Sequence, residues 1–420
     1  MTRAEPPSLH RSRIVGAGLV TPLGIGVETN FRHMCGGHTG FVPAEVVKVG
    51  EPGQVFGAVV DLESAVPTRR RREWRRLDRA NQLARVASIE ALASAGFEFQ
   101  SGGSLKGPLR PERIGLCVGT SNGPSASLES AIGAFEVGGR RALFRADPLI
   151  GFSGSPTYIA ASLARELGIG GPSVTVNAEC ATGNSVIGVA NGMIFSGMAD
   201  GVLCVGVDAP LTPFCVASMN NLGALAPDIC RPFDQQRDGF VMSEGAGAML
   251  IVGEDVACPD GINLGTITGI GLTTDLAHPT APSQDAEPLE RAIRIAISAA
   301  GIRPDQIQLV SSHGTGTKLN DPTEVLALQT VLGSHAKECL VQAIKSMIGH
   351  SLGAAAIIEA VILGCWMREG VCPPIVHCDD PLPTELFLVR NQAREMASLN
   401  TGISISCGFG GSTTCVVIEK

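Results

Sequence analysis

Three residues in this sequence have side chains that together can carry out nucleophilic and proton-transfer chemistry: Cys180, His313 and His350. A thiolate is a strong nucleophile, and neutral imidazoles donate hydrogen bonds to a developing oxyanion or move protons near neutral pH. Each residue alone is more often structural, because buried cysteines and histidines are common in protein cores. Together, in a chain with only eight histidines, they predict a Cys/His/His catalytic centre.

Cys180 lies on a predicted turn between a strand and a helix. Val174–Val176 is a β-branched run typical of a buried strand, and the residues from Ala181 to Met198 have apolar side chains at helical spacing. A cysteine at the start of a helix is close to unpaired backbone N–H groups and the positive end of the helix dipole. We therefore expect the thiolate form of Cys180 to be favoured.

Both histidines also lie at the ends of predicted strands. His313 is in the Gly- and Thr-rich segment SSHGTGTKLNDPTE, directly after a strand. His350 is in KSMIGHSLGAAAIIE, where it opens a helix of small residues. These positions are typical of catalytic side chains that a rigid element presents on a turn.

The rest of the chain alternates between predicted strands and helices. The strands are Arg13–Val27 with its Gly-rich exit, Ile114–Gly119, Gly201–Val207 and the end of Arg231–Val252. The helices are Leu77–Ser94 and Ser155–Leu167, the second with Ser155 as its cap and Pro156 in its first turn. This alternation predicts parallel β-α-β units in a layered α/β fold, and the apolar strands indicate a sheet covered on both faces.

The second half of the chain is similar to the first. Thr266–Thr273 matches Arg13–Thr21, Ile307–Ser312 matches Ile114–Thr120, Ile403–Gly411 matches Val202–Val207, and Ala343–Ala360 aligns with Asn177–Ile194. The similarity predicts two related halves, residues 1–255 and 256–420, packed about a pseudo-twofold axis. Cys180 and His350 then occupy equivalent strand-to-helix turns and converge on one site. Chance similarity between short glycine-containing strings is the alternative.

Composition excludes several classes of protein. The chain has 420 residues, 44% of them apolar, and no linker-like segment divides it, so we expect one compact unit. Its net charge of −8 argues against nucleic-acid binding. The 13 cysteines are odd in number and never spaced as CxxC, which favours neither a disulfide framework nor a metal site and predicts a reduced, cytoplasmic protein.

Membrane association is not expected either. The longest apolar helix candidate, from Ala354 to Met367, has about 14 residues with Glu359 among them, against the ~20 that a membrane span needs. The sequence has no N-terminal apolar signal. A different surface feature is the group of seven arginines between Arg69 and Arg79, which is a candidate dock for an acidic partner, although a solvated basic face is nearly as good an interpretation.

Motifs from nearly the whole length of the chain resemble those of the type II elongating β-ketoacyl-acyl-carrier-protein synthases in the thiolase-like superfamily. In order, they are VGAGLVTPLG, RRLDR, GPSVTVNAECATG, RPFDQQRDGF, SSHGTGT, KSMIGHSLGAA and CGFGGS. Each piece is weak alone, but their joint order is specific. Plain thiolases use a second cysteine near the C-terminus, a pattern that Cys407 and Cys415 do not match. The resemblance implies an α/β, thiolase-like layered fold (αβαβα) built from two pseudo-repeated halves.

The resemblance also implies roles for the catalytic residues. Cys180 corresponds to the nucleophile that accepts the acyl group, and His313 and His350 correspond to the pair that promotes decarboxylation of a malonyl group. Lys345 and Glu324 correspond to residues that support the histidines through hydrogen bonds. The expected reaction is decarboxylative condensation of an acyl thioester with malonyl-acyl-carrier protein, in fatty-acid-like or polyketide biosynthesis.

Further residues correspond to the substrate-binding parts of the family. Thr315 and Thr317 match the threonines that contact pantetheine, and Phe409 matches a gating residue. The backbone amides of Cys180 and Phe409 match the oxyanion hole, and Arg75 and Arg76 match the dock for the carrier. The resemblance implies no bound cofactor, since the acyl carrier protein supplies the phosphopantetheine, and it implies a homodimer, with a heterodimer of related subunits left open.

The sequence departs from the family pattern beside the nucleophile and in two loops. Glu179 replaces a small residue, the segment LAPDICR is short and lacks a basic residue, and GFGGSTT replaces the usual ending of that motif. These changes favour a specialised pathway. A malonyl decarboxylase, a condensing enzyme that also cyclises its product, and a chain-length-setting subunit of a heterodimer remain alternatives; the intact Cys180 argues against the last.

Overall fold

Strands and helices alternate along the chain, and the strands form one large sheet. The structure is a computed structural model that describes residues 11–43, 56–65, 74–99, 105–143 and 150–420. The main strands are β1 Ser12–Thr21, β2 Ile114–Gly119, β3 Ser173–Val176, β4 Gly201–Asp208, β5 Gly245–Gly253, β6 Thr266–Thr274, β7 Leu309–Ser311, β8 Leu340–Gln342, β9 Thr401–Cys407 and β10 Ser412–Glu419. The longer helices are α1 Val27–Cys35, α2 Arg79–Ser94, α3 Ser125–Leu143, α4 Thr157–Leu167, α5 Thr182–Phe195, α6 Pro213–Asn221, α7 Glu287–Ala300, α8 Asn320–Leu332 and α9 Ala355–Glu369.

Shorter elements lie in the connections. Short strands occur at Gly24–Ile25, Val42–Pro43, Phe56–Ala58, Glu98–Phe99, Leu105–Lys106, Met242–Ser243, Val371–Cys372, Phe387–Leu388 and Arg394–Glu395. Short α-helices occur at Ile150–Ser153 and Lys345–Ile348. Turns of 3-10 helix occur at Glu63–Ala65, Pro111–Arg113, Glu179–Ala181, Pro304–Gln306, Gly333–Lys337, Leu352–Ala354 and Phe409–Gly411.

The sheet consists of two groups of strands with the same internal order. From the middle outwards, the first group runs β1-β5-β4-β2-β3 and the second runs β6-β10-β9-β7-β8. The two groups meet where β1 pairs with β6. In each group the first three strands are antiparallel and the last three are parallel. The repeat inferred from short sequence matches is therefore present in the strand topology.

The innermost strands β1 and β6 show the repeat in detail. Each has a register irregularity near its start, between Ile14 and Gly16 in β1 and between Ile267 and Gly269 in β6. In each strand a following glycine lies directly under a helix. A Cβ on Gly18 would be 2.1 Å from a carbonyl of α2, and a Cβ on Gly271 would be 1.9 Å from a carbonyl of α7. Glycine is thus required by the same close helix-to-sheet packing in both halves.

Five layers result from packing helices on both faces of each half-sheet. In β4, Val202 and Cys204 belong to a core with α5 and α9, whereas Leu203 and Val205 belong to a core with α2 and α4 on the opposite face. The second half-sheet likewise lies between the same central helices and the outer pair α7 and α8. This is the predicted αβαβα arrangement, with α5 and α9 as the central layer.

Two details differ from the sequence predictions. The sheet is mixed rather than wholly parallel, because β10 follows β9 after a short turn that is long enough for a hairpin and too short for a crossover helix. Helix α4 begins at Thr157 and not at Ser155, since Pro156 precedes the first turn and no side chain caps it. Among the described residues, none of the helices is long and apolar enough to cross a membrane.

Candidate active site

Cys180 occupies the predicted turn between a strand, β3, and a helix, α5, although β3 is a partly exposed edge strand and not the buried strand that was expected. It lies in the 3-10 turn Glu179–Ala181, directly before α5 begins at Thr182, and its side chain is 7% exposed. The Thr182 hydroxyl accepts a hydrogen bond from the Ala178 backbone N–H at 2.8 Å, which ties the two ends of the turn together. Glu179 has a φ of 50°, a conformation that costs a non-glycine residue about 1 kcal/mol.

His350 lies in the equivalent turn of the second half, between β8 and α9. Its backbone N–H donates to the Val241 carbonyl at 2.8 Å, and its carbonyl accepts from Ser243 at 3.0 Å, so its position is fixed on both sides. The equivalence of the turns holds, but the alignment that we drew from the sequence is wrong by seven residues. The 3-10 turn Leu352–Ala354, which again opens with a positive φ, is the counterpart of the turn that contains Cys180.

His313 follows β7 on the irregular segment that leads to α8. The carboxylate of Glu324, one turn into α8, accepts the backbone N–H of His313 at 2.5 Å and that of Gly314 at 2.8 Å. Burial raises the pKa of Glu324 to about 8, against the effect of these bonds. Glu324 therefore supports His313 through a hydrogen bond, as expected, and this bond is to the backbone of His313.

A cavity of about 540 Å³ brings the three predicted catalytic residues together, since Cys180, His313 and His350 all line it. The two imidazoles meet edge to face, with ring centroids 5.4 Å apart and planes at 83°. Phe240 packs edge-on against the His350 ring at 5.0 Å. Residues that are 170 positions apart in sequence, Cys180 and His350, thus face one space, as the pseudo-twofold axis requires.

Both imidazoles are neutral at physiological pH. Burial and the nearby Lys345 ammonium hold the pKa of His350 well below its usual value, and burial, Lys345 and His350 do the same for His313. A neutral imidazole carries one N–H, which it can donate to a developing oxyanion. The environment therefore favours the neutral form of both residues, which can donate a hydrogen bond and can accept a proton only transiently.

Lys345 forms an ion pair that the sequence analysis missed. Its ammonium donates to the carboxylate of Glu359 in α9, and each side chain is only 1% exposed. The predicted hydrogen bond from Lys345 to a histidine is not present: among the described residues, the Nδ1 atoms of His313 and His350 have no hydrogen-bond partner. Lys345 instead acts on the two imidazoles through its charge. The one signal in the sequence was Glu359, an acid within an apolar helix.

The expectation of a thiolate at Cys180 is wrong for the free protein. Burial, followed by the charge of the adjacent Glu179 carboxylate, raises the pKa of the Cys180 thiol to about 12. The positive charge of Lys345 and the nearby backbone N–H of Phe409 lower the pKa of the thiol but do not overcome burial. The resting nucleophile is therefore a thiol.

Phe409 is held over Cys180 by a neighbouring loop. It begins the 3-10 turn Phe409–Gly411, whose Gly411 carbonyl accepts the Asp275 N–H at 2.7 Å and whose Gly410 N–H donates to Pro279 at 2.7 Å. Phe409 lines the cavity beside Cys180, and its backbone N–H lowers the pKa of the Cys180 thiol.

Two threonines line the wall of the cavity. The Thr315 and Thr317 hydroxyls are 3.0 Å apart, and Thr315 also reaches the Asp321 carboxylate at 3.4 Å. Asp321 in turn accepts the Phe233 N–H at 2.7 Å, so the wall is anchored to the RPFDQQRDGF segment. Both residues line the cavity between His313 and its mouth.

The arginines that were predicted to form one basic cluster differ in their surroundings. Arg75 and Arg76 are exposed, whereas Arg69 to Arg72 lie outside the described residues. Arg79, which we counted with them, is not available for docking, because its guanidinium pairs with Glu244 at 2.7 Å. The basic surface that the structure describes is thus smaller than the sequence implies.

Asp208, at the end of strand β4, is a second functional candidate that the sequence analysis missed. Its fully buried carboxylate accepts the Thr120 hydroxyl at 2.8 Å and the backbone N–H groups of Ser121, Asn122 and Gly353 at 2.7–3.0 Å. It therefore joins the turn after His350 to the end of β2. No group of three or more His, Cys, Asp or Glu side chains in the described part of the chain is arranged to hold a metal ion.

Family models match almost the whole chain. The beta-ketoacyl synthase N-terminal domain matches residues 12–257, and the beta-ketoacyl synthase C-terminal domain matches residues 264–379. The chain belongs to the β-ketoacyl synthase family. A 3-oxoacyl-[acyl-carrier-protein] synthase 2 of Staphylococcus aureus (strain COL) is 32% identical over 419 residues, covering 97% of each chain. One from Synechocystis sp. (strain ATCC 27184 / PCC 6803 / Kazusa) is 30% identical, covering 98% of this chain and 99% of its own.

Solved structures of the family agree with the fold. The ishigamide ketosynthase/chain length factor has a TM-score of 0.87 and 30% identity, covering 98% of this chain and 100% of its own. A β-ketoacyl synthase from Burkholderia phymatum STM815 has a TM-score of 0.86 and 26% identity, covering 98% and 99%. The predicted thiolase-like layered fold, the elongating ketosynthase class and the predicted enzyme type, a β-ketoacyl-acyl-carrier-protein synthase, are confirmed.

Proposed function

We propose that this β-ketoacyl synthase condenses an acyl group carried on Cys180 with malonyl-acyl-carrier protein, with loss of carbon dioxide, in a specialised fatty-acid-like or polyketide pathway. The observation that supports this most is the shared cavity: a nucleophile faces two buried, neutral imidazoles and a backbone N–H. Acyl transfer and decarboxylation both develop negative charge on a carbonyl oxygen, and preorganised donors stabilise such charge.

Acyl transfer begins with the Cys180 thiol. The sulfur attacks the thioester of the acyl-carrier, and the N–H groups of Cys180 and Phe409 stabilise the oxyanion. Because the pKa of Cys180 is about 12, its proton must leave as the bond forms. An adjacent neutral imidazole, His350, accepts this proton and returns it to the departing pantetheine thiol. The product is an acyl-Cys180 thioester.

Condensation follows when malonyl-carrier enters the same cavity. His313 and His350 donate hydrogen bonds to the malonyl thioester oxygen, the carboxylate leaves as carbon dioxide, and the electrons of the broken bond form an enolate. The enolate carbon attacks the acyl-Cys180 carbonyl, and the Cys180 sulfur leaves as a thiolate that takes up one proton from the solvent. The buried Lys345 ammonium favours the enolate through its charge. Glu324 positions His313 through its backbone N–H, and Glu359 positions the Lys345 ammonium.

The substrate arm and its carrier account for the remaining predicted residues. Thr315 and Thr317 contact the pantetheine amides, and the exposed Arg75 and Arg76 attract the acidic carrier. The protein itself needs no bound cofactor in this scheme, because the carrier brings the phosphopantetheine. We place the enzyme in the cytoplasm, where such carriers work.

We also propose a dimer, formed on the face that carries edge strand β3. Among the described residues, no strand pairs with the outer edge of β3, and Val174 in it is 37% exposed. Exposed apolar side chains lie on neighbouring elements: Phe195 on α5 is 58% exposed, and Ile132 on α3 is 51% exposed. An exposed edge and apolar patches are features that proteins normally cover. A second copy is our preferred partner; the ishigamide ketosynthase/chain length factor shows by its name that related subunits also pair.

Light scattering tests the dimer. The wild type should have about twice the mass of one chain, and Val174→Lys should reduce it to that of one chain, because a lysine at the edge opposes strand pairing. Lys106→Ala, on an exposed short strand elsewhere, should stay dimeric. A monomeric wild type would contradict a homodimer, and activity that returns on mixing with a related subunit would favour the heterodimer.

Mass measurement of the carrier tests the condensation. With acyl- and malonyl-carrier proteins, the wild type should yield a carrier-bound product two carbons longer, while His313→Ala and His350→Ala should lower its rate by about a hundredfold or more. Arg303→Ala, a surface variant far from the cavity lining, is the control. Loss of carbon dioxide without extension would instead identify a malonyl decarboxylase.

A further inference from the structure

One wall of the cavity runs from the catalytic floor to the solvent along a single irregular segment, residues 313–318, with positive φ angles at Gly314 and Gly316. His313 is 3% exposed and Thr315 is 4% exposed, whereas Thr317 is half-buried and Lys318 is exposed. All four residues line the cavity. Burial decreases along the segment, so it connects the buried His313 imidazole to the open mouth of the cavity.

Arg237 fixes the outer end of this segment. Its guanidinium donates to the Thr317 carbonyl at 3.0 Å and to the Lys318 carbonyl at 3.1 Å, and a third bond goes to the Asp234 carbonyl at 3.1 Å. Three of its donors are therefore committed to backbone oxygens. The backbone of Lys318 is therefore held in place, while the residue itself is exposed at the mouth of the cavity.

Lys318 is the only lysine or arginine among the described residues that line the cavity. No carboxylate of the described residues forms an ion pair with its ammonium. The carboxylates at the mouth have other partners: Asp275 accepts from Ser283 at 2.6 Å, and Asp238 lies 3.9 Å from the Arg231 guanidinium. Lys318 thus offers an uncommitted positive charge at the opening.

We propose that Lys318 binds the phosphate of the phosphopantetheine arm. This inference rests on the proposed function, in which the thiol end of that arm reaches Cys180. The phosphate is at the opposite end of the arm from the thiol, so when the thiol is at the floor of the cavity the phosphate is carried towards the mouth. A lysine ammonium is a common point-charge ligand for phosphate.

The charges at the mouth explain why a cation is needed there. Asp238 repels an anionic arm, and the positive charges of Arg231 and Lys318 both act on its carboxylate, lowering a pKa that burial raises. Asp275 adds a second negative charge at the rim. Without Lys318, a phosphate would face these carboxylates and His278 alone, so the lysine makes the opening selective for an arm that ends in an anion.

A pair of donors that differ only in the phosphate tests this directly. The rate of Cys180 acylation is measured with an acyl-phosphopantetheine thioester and with the matching acyl-pantetheine thioester. In Lys318→Ala, the ratio of kcat/KM for the first donor to that for the second should fall about three- to tenfold. Asp238→Asn should raise the same ratio, because it removes the repulsion. Lys106→Ala, an exposed lysine away from the cavity, is the matched control.

The outcomes separate this inference from the function on which it rests. An unchanged ratio in Lys318→Ala, or an equal loss with both donors, would overturn phosphate binding while leaving the acyl-transfer function in place. Failure of the wild type to take an acyl group from either donor or from acyl-carrier protein would overturn the proposed function and this inference with it. Raising the salt concentration screens the attraction between Lys318 and the phosphate, so it should lower the ratio of the two kcat/KM values in the wild type but not in Lys318→Ala.

Discussion

The buried ion pair between Lys345 and Glu359 contributes to both stability and catalysis, and substitutions in it can distinguish the two contributions. Both side chains are 1% exposed, and the lysine charge lowers the pKa of both catalytic imidazoles. Removing the cation in Lys345→Met leaves a buried carboxylate without its partner, which costs about 3–5 kcal/mol of unfolding free energy. Protonation of Glu359, whose pKa burial already raises, brings the loss towards the lower figure.

The double variant Lys345→Met/Glu359→Gln removes both charges and keeps a similar volume. Replacing a buried pair with neutral side chains is often neutral or stabilising, so its unfolding free energy should return to within about 1 kcal/mol of the wild type. Its rate of malonyl-carrier decarboxylation should stay about a hundredfold low, because the charge that favours the enolate is absent.

Urea unfolding and release of carbon dioxide measure the two quantities on the same preparations. Glu359→Gln alone is the control for the second substitution, because it replaces the carboxylate with an amide and keeps the lysine charge near the imidazoles. A double variant that is stable and decarboxylates at the wild-type rate would refute the reasoning, since Lys345 would then act only in packing. A double variant that remains as unstable as Lys345→Met would refute the account of the ion pair.

Three further predictions follow from individual contacts. Because the pKa of Cys180 is about 12, the rate of its alkylation by iodoacetamide should rise with pH through at least pH 10. Glu179→Gln removes a negative charge beside the thiol and should raise this rate several-fold at pH 8. An alkylation rate that reaches a plateau near pH 7 would contradict the raised pKa. A Cβ on Gly183 would be 2.5 Å from a backbone nitrogen of α9, so Gly183→Ala should cost about 1–3 kcal/mol in urea unfolding, whereas Gly133→Ala, with nothing within 4 Å, should not destabilise the protein. His313 stays neutral in the folded protein, because burial holds its pKa low, but in the unfolded protein it binds a proton below about pH 6.5. Between pH 7 and 5 the unfolding free energy of the wild type should therefore fall by up to about 1.4 kcal/mol per pH unit relative to that of His313→Gln. Unfolding free energies that change with pH in the same way in both proteins would contradict the low pKa of His313.

Local patterns in the sequence determine much of the fold. The strand before Cys180 and the helix after it are set by a β-branched run and by apolar residues at helical spacing, and both lie close to the predicted positions. The repeat was visible because β1 and β6 both need glycine under a closely packed helix. Strand direction was harder to predict, since it depends on whether a connection crosses over the sheet, and residue patterns within a strand do not record that.

The contacts within the site depend on residues that are far apart in sequence. Motif matches located Cys180, His313 and His350, yet they assigned Lys345 a hydrogen bond to a histidine that the structure gives to Glu359. A position at the start of a helix favoured a thiolate at Cys180, and burial outweighs it. Sequence spacing shows that a charge is near a turn, but its partner and its exposure are set only when the two halves pack together.

The most direct test of the central claim is peptide-level mass spectrometry of the protein after mixing with an acyl-carrier protein, before and after malonyl-carrier protein is added. The account predicts one acyl adduct, located on Cys180, that disappears when malonyl-carrier arrives, together with a carrier-bound product two carbons longer. Cys180→Ala should fold and show neither the adduct nor the product. An adduct on another residue, or full extension by Cys180→Ala, would contradict the role of Cys180 as the nucleophile.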